Sequence, residues 1–428
     1  MWRVLTMIFT GFIVSFYYFP FEFSFLPGIN TKMGLAVVGI GVALIDLVRK
    51  RETIVPPNIL RTILVASIVS LIGVISVVYN NTLDYAYATY VVSMMVWLSA
   101  AYTVCMLIKG VHGRLTLNLV TVYLTCVCVF QCVAALVIDS NADIKAFVDS
   151  YIMQDQVFLN EVDRIYGIGA SLDTAGVRFS ACLILLAYFI NNNKANLNKY
   201  QVFLSLAAYL VIAVVGNMVA RTTIVGVVLS LMCVMLTFNP QRVSKAFLRL
   251  LRITVVVAAV AIPLSIYLYN NNAQFHELSR FAFEGFFNMA ENGEWEIDSN
   301  EKLKAMIVFP DNVKSWVIGD GYFSNPYNTD PYYVGYQPGG YYMGTDIGYC
   351  RLIFYFGLIG LLAFSFFCVF AASECMKLLP NYRLLILFIL LLGFVIWLKV
   401  ATDVFLVFAL ILCIGNMQDE NQLLESES

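Results

Sequence analysis

Charged residues are scarce in this chain: only 13% of its 428 residues are Asp, Glu, Lys or Arg, whereas 60% are hydrophobic. A soluble protein carries about 25% charged residues, because water must solvate its surface. The 26 basic and 28 acidic residues nearly cancel and are spread along the chain, so we expect no nucleic-acid partner. The composition predicts an integral membrane protein.

The apolar runs also lack the period-two alternation of membrane β-strands, which argues against a barrel and for helices. The first run ends in an aromatic cluster at residues 16–21 rather than at a small-residue cleavage site, so we interpret it as a span and not as a removable signal peptide. The predicted fold class is an all-α polytopic membrane protein, a single membrane domain over residues 1–428. About twelve spans are predicted, near residues 4–19, 33–48, 60–79, 85–107, 115–138, 177–190, 201–216, 222–238, 253–269, 347–372, 384–398 and 402–417.

Basic residues predict the orientation of these spans. If both termini are cytoplasmic, fifteen of the 26 basic residues face the cytoplasm; of the eleven outside, four lie in a long loop where the positive-inside rule has little weight. Two long external segments remain, residues 139–176 and 270–346, of 38 and 77 residues. We therefore expect the function on the external side, with substrate binding in the longer loop between spans 9 and 10.

Histidine is rare in this chain, and its cysteines lie outside the long external segments. The two histidines, His112 and His276, fall on opposite sides of the membrane in this topology, which excludes a histidine metal centre. No cysteine lies inside either long external segment, so disulfides are not expected. Cys126, Cys128 and Cys132 share one apolar run and are interpreted as small packing residues. We predict no metal and no cofactor.

Four basic residues stand at the predicted outer ends of different spans: Arg178, Arg221, Arg351 and Lys399. A guanidinium drawn toward the bilayer centre costs about 2.5–3.5 kcal/mol on insertion scales, so their convergence predicts an anionic partner, a lipid-linked phosphate. The alternative is that each reaches lipid headgroups or pairs with a carboxylate, Arg351 with Asp346 and Lys399 with Asp403. Arg221 has no acid among its sequence neighbours and is our first choice for a ligand contact.

Tyrosine is abundant in the long loop. Eight tyrosines lie from Tyr322 to Tyr349, among eight Gly and Pro residues that keep the backbone irregular. A ring that carries a hydroxyl suits stacking and hydrogen bonding on sugars, so we predict sugar binding; the alternative is a loop that rests on lipid headgroups. The tyrosines predicted to bind substrate are Tyr322, Tyr336, Tyr341 and Tyr349.

Two polar groups precede these tyrosines. An acidic stretch from Glu284 to Glu301 looks like the paired carboxylates of glycoside chemistry, but a solvated face is the favoured interpretation. His276, Glu277 and Arg280 fall within five residues. His276 or Glu277 is a candidate general base, and an exposed helix start is the alternative.

A family resemblance follows from motifs between residues 216 and 360. The turn Gly-Asn-Met-Val-Ala-Arg-Thr-Thr at 216–223 resembles the Arg-Thr turn of bacterial O-antigen polymerases of the Wzy type. So do Gly-Asp-Gly-Tyr at 319–322, Thr-Asp-Ile-Gly-Tyr-Cys-Arg at 345–351 and Phe-Tyr-Phe-Gly-Leu-Ile-Gly at 354–360. The order, spacing and shared external side of these motifs carry the resemblance.

The resemblance implies a membrane glycosyltransferase that joins polysaccharide repeat units carried on undecaprenyl pyrophosphate, at the outer face of the bacterial cytoplasmic (inner) membrane. The product would be O-antigen, capsule or exopolysaccharide. The implied partners are the lipid-linked oligosaccharide, membrane lipid, a chain-length regulator and a flippase. The implied pyrophosphate ligands are Arg221 and then Arg351, Arg280 and Arg178, and acceptor activation would fall to Asp346, Glu277 or His276.

Two other functions stay open at this point. O-antigen ligases share the many spans, the large loop and the external arginines but transfer the glycan to lipid A core; the sequence at 345–360 favours the polymerases. A polysaccharide flippase or another transporter also has about twelve spans, but this chain lacks the repeated halves and the mid-span charges of such carriers.

Overall fold

The computed structural model describes residues 2–50, 55–154, 159, 164–192, 197–237, 263, 265–294, 296–331, 333–335 and 340–417. Within these ranges, six helices are long and apolar enough to cross a membrane, and four shorter apolar helices accompany them. The chain is therefore an all-α membrane protein, as its composition predicts.

The described helices, in chain order, are α1 (Trp2–Tyr18), α2 (Thr31–Lys50), α3 (Pro57–Asn80), α4 (Tyr90–His112), α5 (Leu117–Ser140), α6 (Ala142–Tyr151), α7 (Leu172–Asn192), α8 (Lys199–Val219), α9 (Thr223–Thr237), α10 (Ala273–Ala282), α11 (Glu284–Asn292), α12 (Asp298–Ala305), α13 (Val313–Val317), α14 (Pro326–Thr329), α15 (Gly348–Leu378), α16 (Arg383–Ile396) and α17 (Phe405–Met417). Residues 265–271 are helical as well. Two short strands, β1 (Glu22–Phe23) and β2 (Ile152–Met153), pair antiparallel.

Eleven of the predicted spans fall on helices, and the twelfth, near 253–269, lies mostly outside the described residues. The count of twelve crossings stays a prediction. The expected break within residues 202–239 is confirmed, because only residues 220–222 separate α8 from α9. Thr223 Oγ1 donates to the Gly216 carbonyl at 2.9 Å, and the Tyr209 and Ser230 hydroxyls lie 2.7 Å apart, so the two helices run antiparallel.

The chain divides into two compact units: unit 1 is residues 1–31 with 116–297, and unit 2 is residues 32–115 with 298–428. Helix α7 is the most enclosed long helix of unit 1, with 83% of its apolar window buried. Gly226 of α9 packs against Ser180 of α7 so closely that a Cβ would collide with it. Small residues permit such close approach of membrane helices. The Ser180 hydroxyl also donates to the Thr222 carbonyl at 3.1 Å, which fixes the turn that contains Arg221.

Helix α15 organises unit 2, where it packs against α3, α13, α16 and α17. The predicted span 347–372 is too short, because α15 continues to Leu378. The helix is also interrupted: Phe356 (φ −140°, ψ 21°) and Gly357 (φ 68°, ψ −171°) leave the helical conformation. Carbonyl groups freed by such an interruption need other hydrogen-bond partners, and the loop at 317–321 supplies them.

Candidate functional site

The loop at 317–321 fits into the interruption of α15. The Asp320 N–H donates to the Phe354 carbonyl at 2.6 Å, and the Gly321 N–H donates to the Tyr355 carbonyl at 3.1 Å. Gly319 has φ +84°, and a Cβ there would lie 2.5 Å from backbone atoms of Tyr355 and Phe356. Only glycine fits such a left-handed and crowded position. Two motifs of the family resemblance, 319–322 and 354–360, are therefore one structural element.

Asp320 ties this loop to the tyrosine-rich segment. Its Oδ1 accepts a charged hydrogen bond from Lys314 Nζ at 2.6 Å and a short hydrogen bond from the Ser315 hydroxyl. Its Oδ2 accepts from the Tyr342 hydroxyl at 3.3 Å. Lys314 also donates to Asn80 Oδ1 at 2.7 Å, so the pair is anchored to the end of α3. The carboxylate thus positions a ring of the predicted sugar-binding segment.

Asp84 holds the next part of the loop. It is 3% exposed, and its Oδ2 accepts the backbone N–H groups of Phe323 and Ser324, each at 2.8 Å. The Tyr355 hydroxyl donates to the Asp84 carbonyl at 2.9 Å. A carboxylate that accepts several backbone N–H groups is well satisfied when buried. Asp84 therefore fixes Phe323 relative to α15.

Arg351, in the first turns of α15, lies between two aromatic rings. Its guanidinium carbon is 3.7 Å from the centroid of the Phe323 ring and 3.5 Å from that of Tyr341. Its terminal nitrogen Nη2 donates to the Phe323 carbonyl at 3.0 Å. We call Arg351, Phe323 and Tyr341 the Arg351 site.

The charge of Arg351 is buried, and no carboxylate of the described residues forms a close ion pair with it. The residue is 4% exposed, its Nε makes no hydrogen bond, and among the residues that the structure describes no carboxylate oxygen lies within 4.0 Å of its nitrogens. Asp346 therefore makes no close ion pair with Arg351, although its charge acts on the guanidinium, and the guanidinium is enclosed by protein rather than exposed. Desolvation of an ion costs several kcal/mol, whereas two cation–π contacts return about 1–2 kcal/mol each.

The predicted tyrosines have different environments. Tyr341 is 40% exposed and covers Arg351. Tyr322 donates to Asp330 Oδ2 at 3.0 Å, and burial together with this hydrogen bond raises the pKa of its hydroxyl. Tyr349 donates to the Phe394 carbonyl at 3.0 Å and packs against Trp397, so it joins α15 to α16. Tyr336 lies outside the described residues.

A second cluster, in unit 1, surrounds Arg221. Its Nη2 lies 2.6 Å from Glu284 Oε2, its Nε donates to the Phe281 carbonyl at 2.9 Å, and its guanidinium carbon lies 3.8 Å from the centroid of the Phe281 ring. Asn217 Nδ2 donates to the Ala282 carbonyl at 2.6 Å, which joins the same turn to the end of α10. We call Arg221, Glu284 and Phe281 the Arg221 site. The interpretation of Glu284 as part of a solvated face is wrong: its side chain is 18% exposed and paired.

Arg164 reaches the same aromatic ring. Its guanidinium carbon lies 4.9 Å from the centroid of the Phe281 ring, and its Nε is buried without a hydrogen-bond partner. Burial lowers the pKa of Arg164, and the charge of Asp173 partly opposes this shift. Two guanidinium groups therefore share Phe281 as a neighbour.

The other predicted site residues of unit 1 lie near α7 and α10. Arg280 donates to both carboxylate oxygens of Glu291, at 2.8 and 2.7 Å, and these hydrogen bonds lower the pKa of Glu291. The His276 ring stacks on Tyr269 at 4.1 Å, whereas Glu277 is exposed. The carbonyl of Arg178 accepts from the Tyr18 hydroxyl at 2.8 Å. The structure thus joins His276 and Arg280 through contacts with Tyr269.

Several contributors were absent from the sequence prediction, namely Asp84, Arg164, Phe281, Phe323 and the pairing role of Glu284. Asp84 carried a usable signal, because it is a lone acid between two apolar runs. The aromatic partners carried none, because the chain contains 32 phenylalanines and only their tertiary position distinguishes these two.

We compared the chain with protein-family models, with curated proteins and with solved structures, and none of the three comparisons finds a significant match.

Proposed function

We propose that the protein polymerises lipid-linked polysaccharide repeat units. The growing glycan is transferred from undecaprenyl pyrophosphate to a second lipid-linked repeat unit, at the outer face of the bacterial cytoplasmic membrane. We also propose twelve spans with both termini in the cytoplasm. This topology brings the loop 270–346 and the outer ends of its flanking helices to the external side.

The observation that carries the proposal is the buried guanidinium of Arg351, which no carboxylate of the described residues approaches within 4.0 Å. A cation held in place by two rings and one carbonyl is preorganised for an anion and needs no further ordering when the anion arrives. Pyrophosphate suits it because guanidinium groups make charge-assisted hydrogen bonds to phosphate oxygens. A sugar next to the pyrophosphate would meet the rings of Tyr341, Tyr342 and Tyr322.

The reaction needs one bond exchange. The bond between the anomeric carbon and the pyrophosphate oxygen breaks, the acceptor hydroxyl oxygen bonds to that carbon, and the hydroxyl proton passes to a base. The departing oxygen gains negative charge, which Arg351 stabilises more in the transition state than in the ground state. Arg221 of unit 1 is also a pyrophosphate ligand in the proposal, with Arg280 and Arg178 as further ligands.

The base in this scheme is Asp346, His276 or Glu277. We favour Asp346 as the base, because it lies five residues before Arg351 and its charge acts on that guanidinium. A base beside the leaving-group site is close to the acceptor oxygen in a transfer of this kind.

Electrophoresis of surface glycan from a strain deleted for this protein tests the proposal. A core that carries one repeat unit is the expected result, because ligation proceeds without polymerisation. A core without any repeat unit would contradict the proposal and indicate a ligase or a flippase. An unchanged polymer ladder would also contradict it and favour another transported substrate.

A further inference from the structure

The ion pair of the Arg221 site places a carboxylate where an anionic ligand would bind. Glu284 is the first residue of α11, and its Oε2 lies 2.6 Å from Arg221 Nη2. A carboxylate oxygen has the charge and hydrogen-bonding capacity of a phosphate oxygen toward a guanidinium. The two side chains are 16% and 18% exposed, whereas the paired oxygen Oε2 is buried, so an anion that reaches Arg221 must displace the Glu284 carboxylate.

The guanidinium does not depend on Glu284 for its position. The Phe281 carbonyl accepts its Nε at 2.9 Å, and the Phe281 ring lies 3.8 Å from its central carbon. Departure of the carboxylate would therefore leave Arg221 oriented. The Arg61–Glu374 pair of unit 2 is different, because Glu374 is 1% exposed and pairs with Lys377 as well, so two cations hold this carboxylate in place.

Arg164 adds a second cation beside the same ring. Both guanidinium carbons lie within 5 Å of the Phe281 centroid, so they are less than about 9 Å apart. The Nε of Arg164 is buried without a hydrogen-bond partner. Glu284 brings one negative charge, whereas a diphosphate brings more than one and suits two neighbouring guanidinium groups.

We propose that Glu284 is a resident counter-ion of Arg221 that a diphosphate displaces, and that Arg164 completes the diphosphate site. This inference rests on the proposed function and concerns its specificity. The carboxylate competes with the ligand, so weakly charged anions fail to enter and a diphosphate succeeds. When the diphosphate leaves, Glu284 returns to Arg221 and assists product release.

The test is a calorimetric titration of the purified full-length protein in detergent with inorganic pyrophosphate, which measures the binding affinity. Glu284→Gln keeps the side-chain shape but removes the competing charge, so it should bind pyrophosphate about tenfold more tightly. Glu284→Asp retains the charge on a shorter side chain and should bind with intermediate affinity. Arg164→Ala in the Glu284→Gln background should lose most of the gain in pyrophosphate affinity.

The matched control is Glu301→Gln. The Glu301 carboxylate pairs with Lys304 on the surface, so its removal should leave the pyrophosphate affinity unchanged.

Equal or weaker pyrophosphate binding by both Glu284 variants would overturn the inference and make the pair purely structural. That outcome is distinct from failure of the proposed function, which the surface glycan of the deletion strain reports. A strain that needs the protein for polymer, together with unchanged pyrophosphate affinity in Glu284→Gln, would retain the function and remove the counter-ion role.

Discussion

Arg351 and Phe323 contact each other twice: the guanidinium carbon lies 3.7 Å from the centroid of the ring, and Nη2 donates to the carbonyl of the same residue at 3.0 Å. One loop residue therefore sets both the plane and the direction of the guanidinium. Asp84 in turn fixes Phe323 through its backbone N–H. This arrangement preorganises a cation, whereas an arginine held only by an exposed carboxylate would sample many rotamers.

Arg351→Gln should cost little stability, because no carboxylate of the described residues lies within 4.0 Å of its nitrogens and loses a close partner when the charge is removed. Arg61→Gln is the informative comparison, since it removes one of the two cations that pair with buried Glu374. We expect the free energy of unfolding in detergent to fall by about 1–2 kcal/mol for Arg61→Gln and by less than half of that for Arg351→Gln. A larger loss for Arg351→Gln would show that its charge stabilises the fold.

Tyr341 should act through its ring. Tyr341→Phe keeps the face that covers Arg351 and should retain most of the polymer length in surface glycan. Tyr341→Ala removes the ring and exposes the guanidinium to water, so polymerisation should fall about tenfold or more. Equal loss in the two variants would instead assign the function to the tyrosine hydroxyl.

Gly357 should be irreplaceable. At φ 68° and ψ −171° its backbone suits only glycine, and a Cβ would collide with the Val317 carbonyl. Gly357→Ala should lower the free energy of unfolding by about 2 kcal/mol or more and abolish activity. Gly41→Ala is the control within α2, where a Cβ meets no atom within 4 Å, and it should leave the stability unchanged or raise it by about 0.5–1 kcal/mol. Thermal unfolding in detergent, measured for Gly357→Ala and Gly41→Ala beside wild type, tests this prediction.

The predicted orientation of the spans has its own test. Reporters fused after Lys245 and after Asn300 should be cytoplasmic and external, respectively, because the basic cluster at 242–252 resists export. The reverse pattern would contradict the span count and would move the loop 270–346 to the cytoplasm.

Helices and their breaks were predictable because apolar length and turn residues act locally. The gap between α8 and α9 lies at the Arg-Thr turn. The end of α1 at Tyr18 lies within the aromatic cluster at 16–21, where the sequence predicts the end of the first span. The interruption at Gly357 was not predicted, because the run 348–378 reads as one continuous apolar helix and its break depends on the loop 317–321. Tertiary hydrogen bonds set that conformation.

Ion pairs were predicted less well than helices, because a pair depends on which distant elements meet. Asp346 and Arg351 are close in sequence, yet the described structure has no ion pair within 4.0 Å between them, and Asp346 acts on Arg351 only through its charge at longer range. Arg221 and Glu284 are 63 residues apart and form an ion pair at 2.6 Å. Sequence proximity favours only partners on one helical face, whereas α10 and α11 bring Glu284 to the turn after α8.

The most direct test is synthesis of polymer by the purified protein from undecaprenyl-pyrophosphate-linked repeat units. Wild type and the exposed-arginine control Arg383→Gln should produce the same ladder, and Arg351→Gln should slow its formation about 100-fold, the typical effect of removing one preorganised electrostatic contact. A ladder formed at the wild-type rate by Arg351→Gln, or no ladder from wild type, would contradict the account.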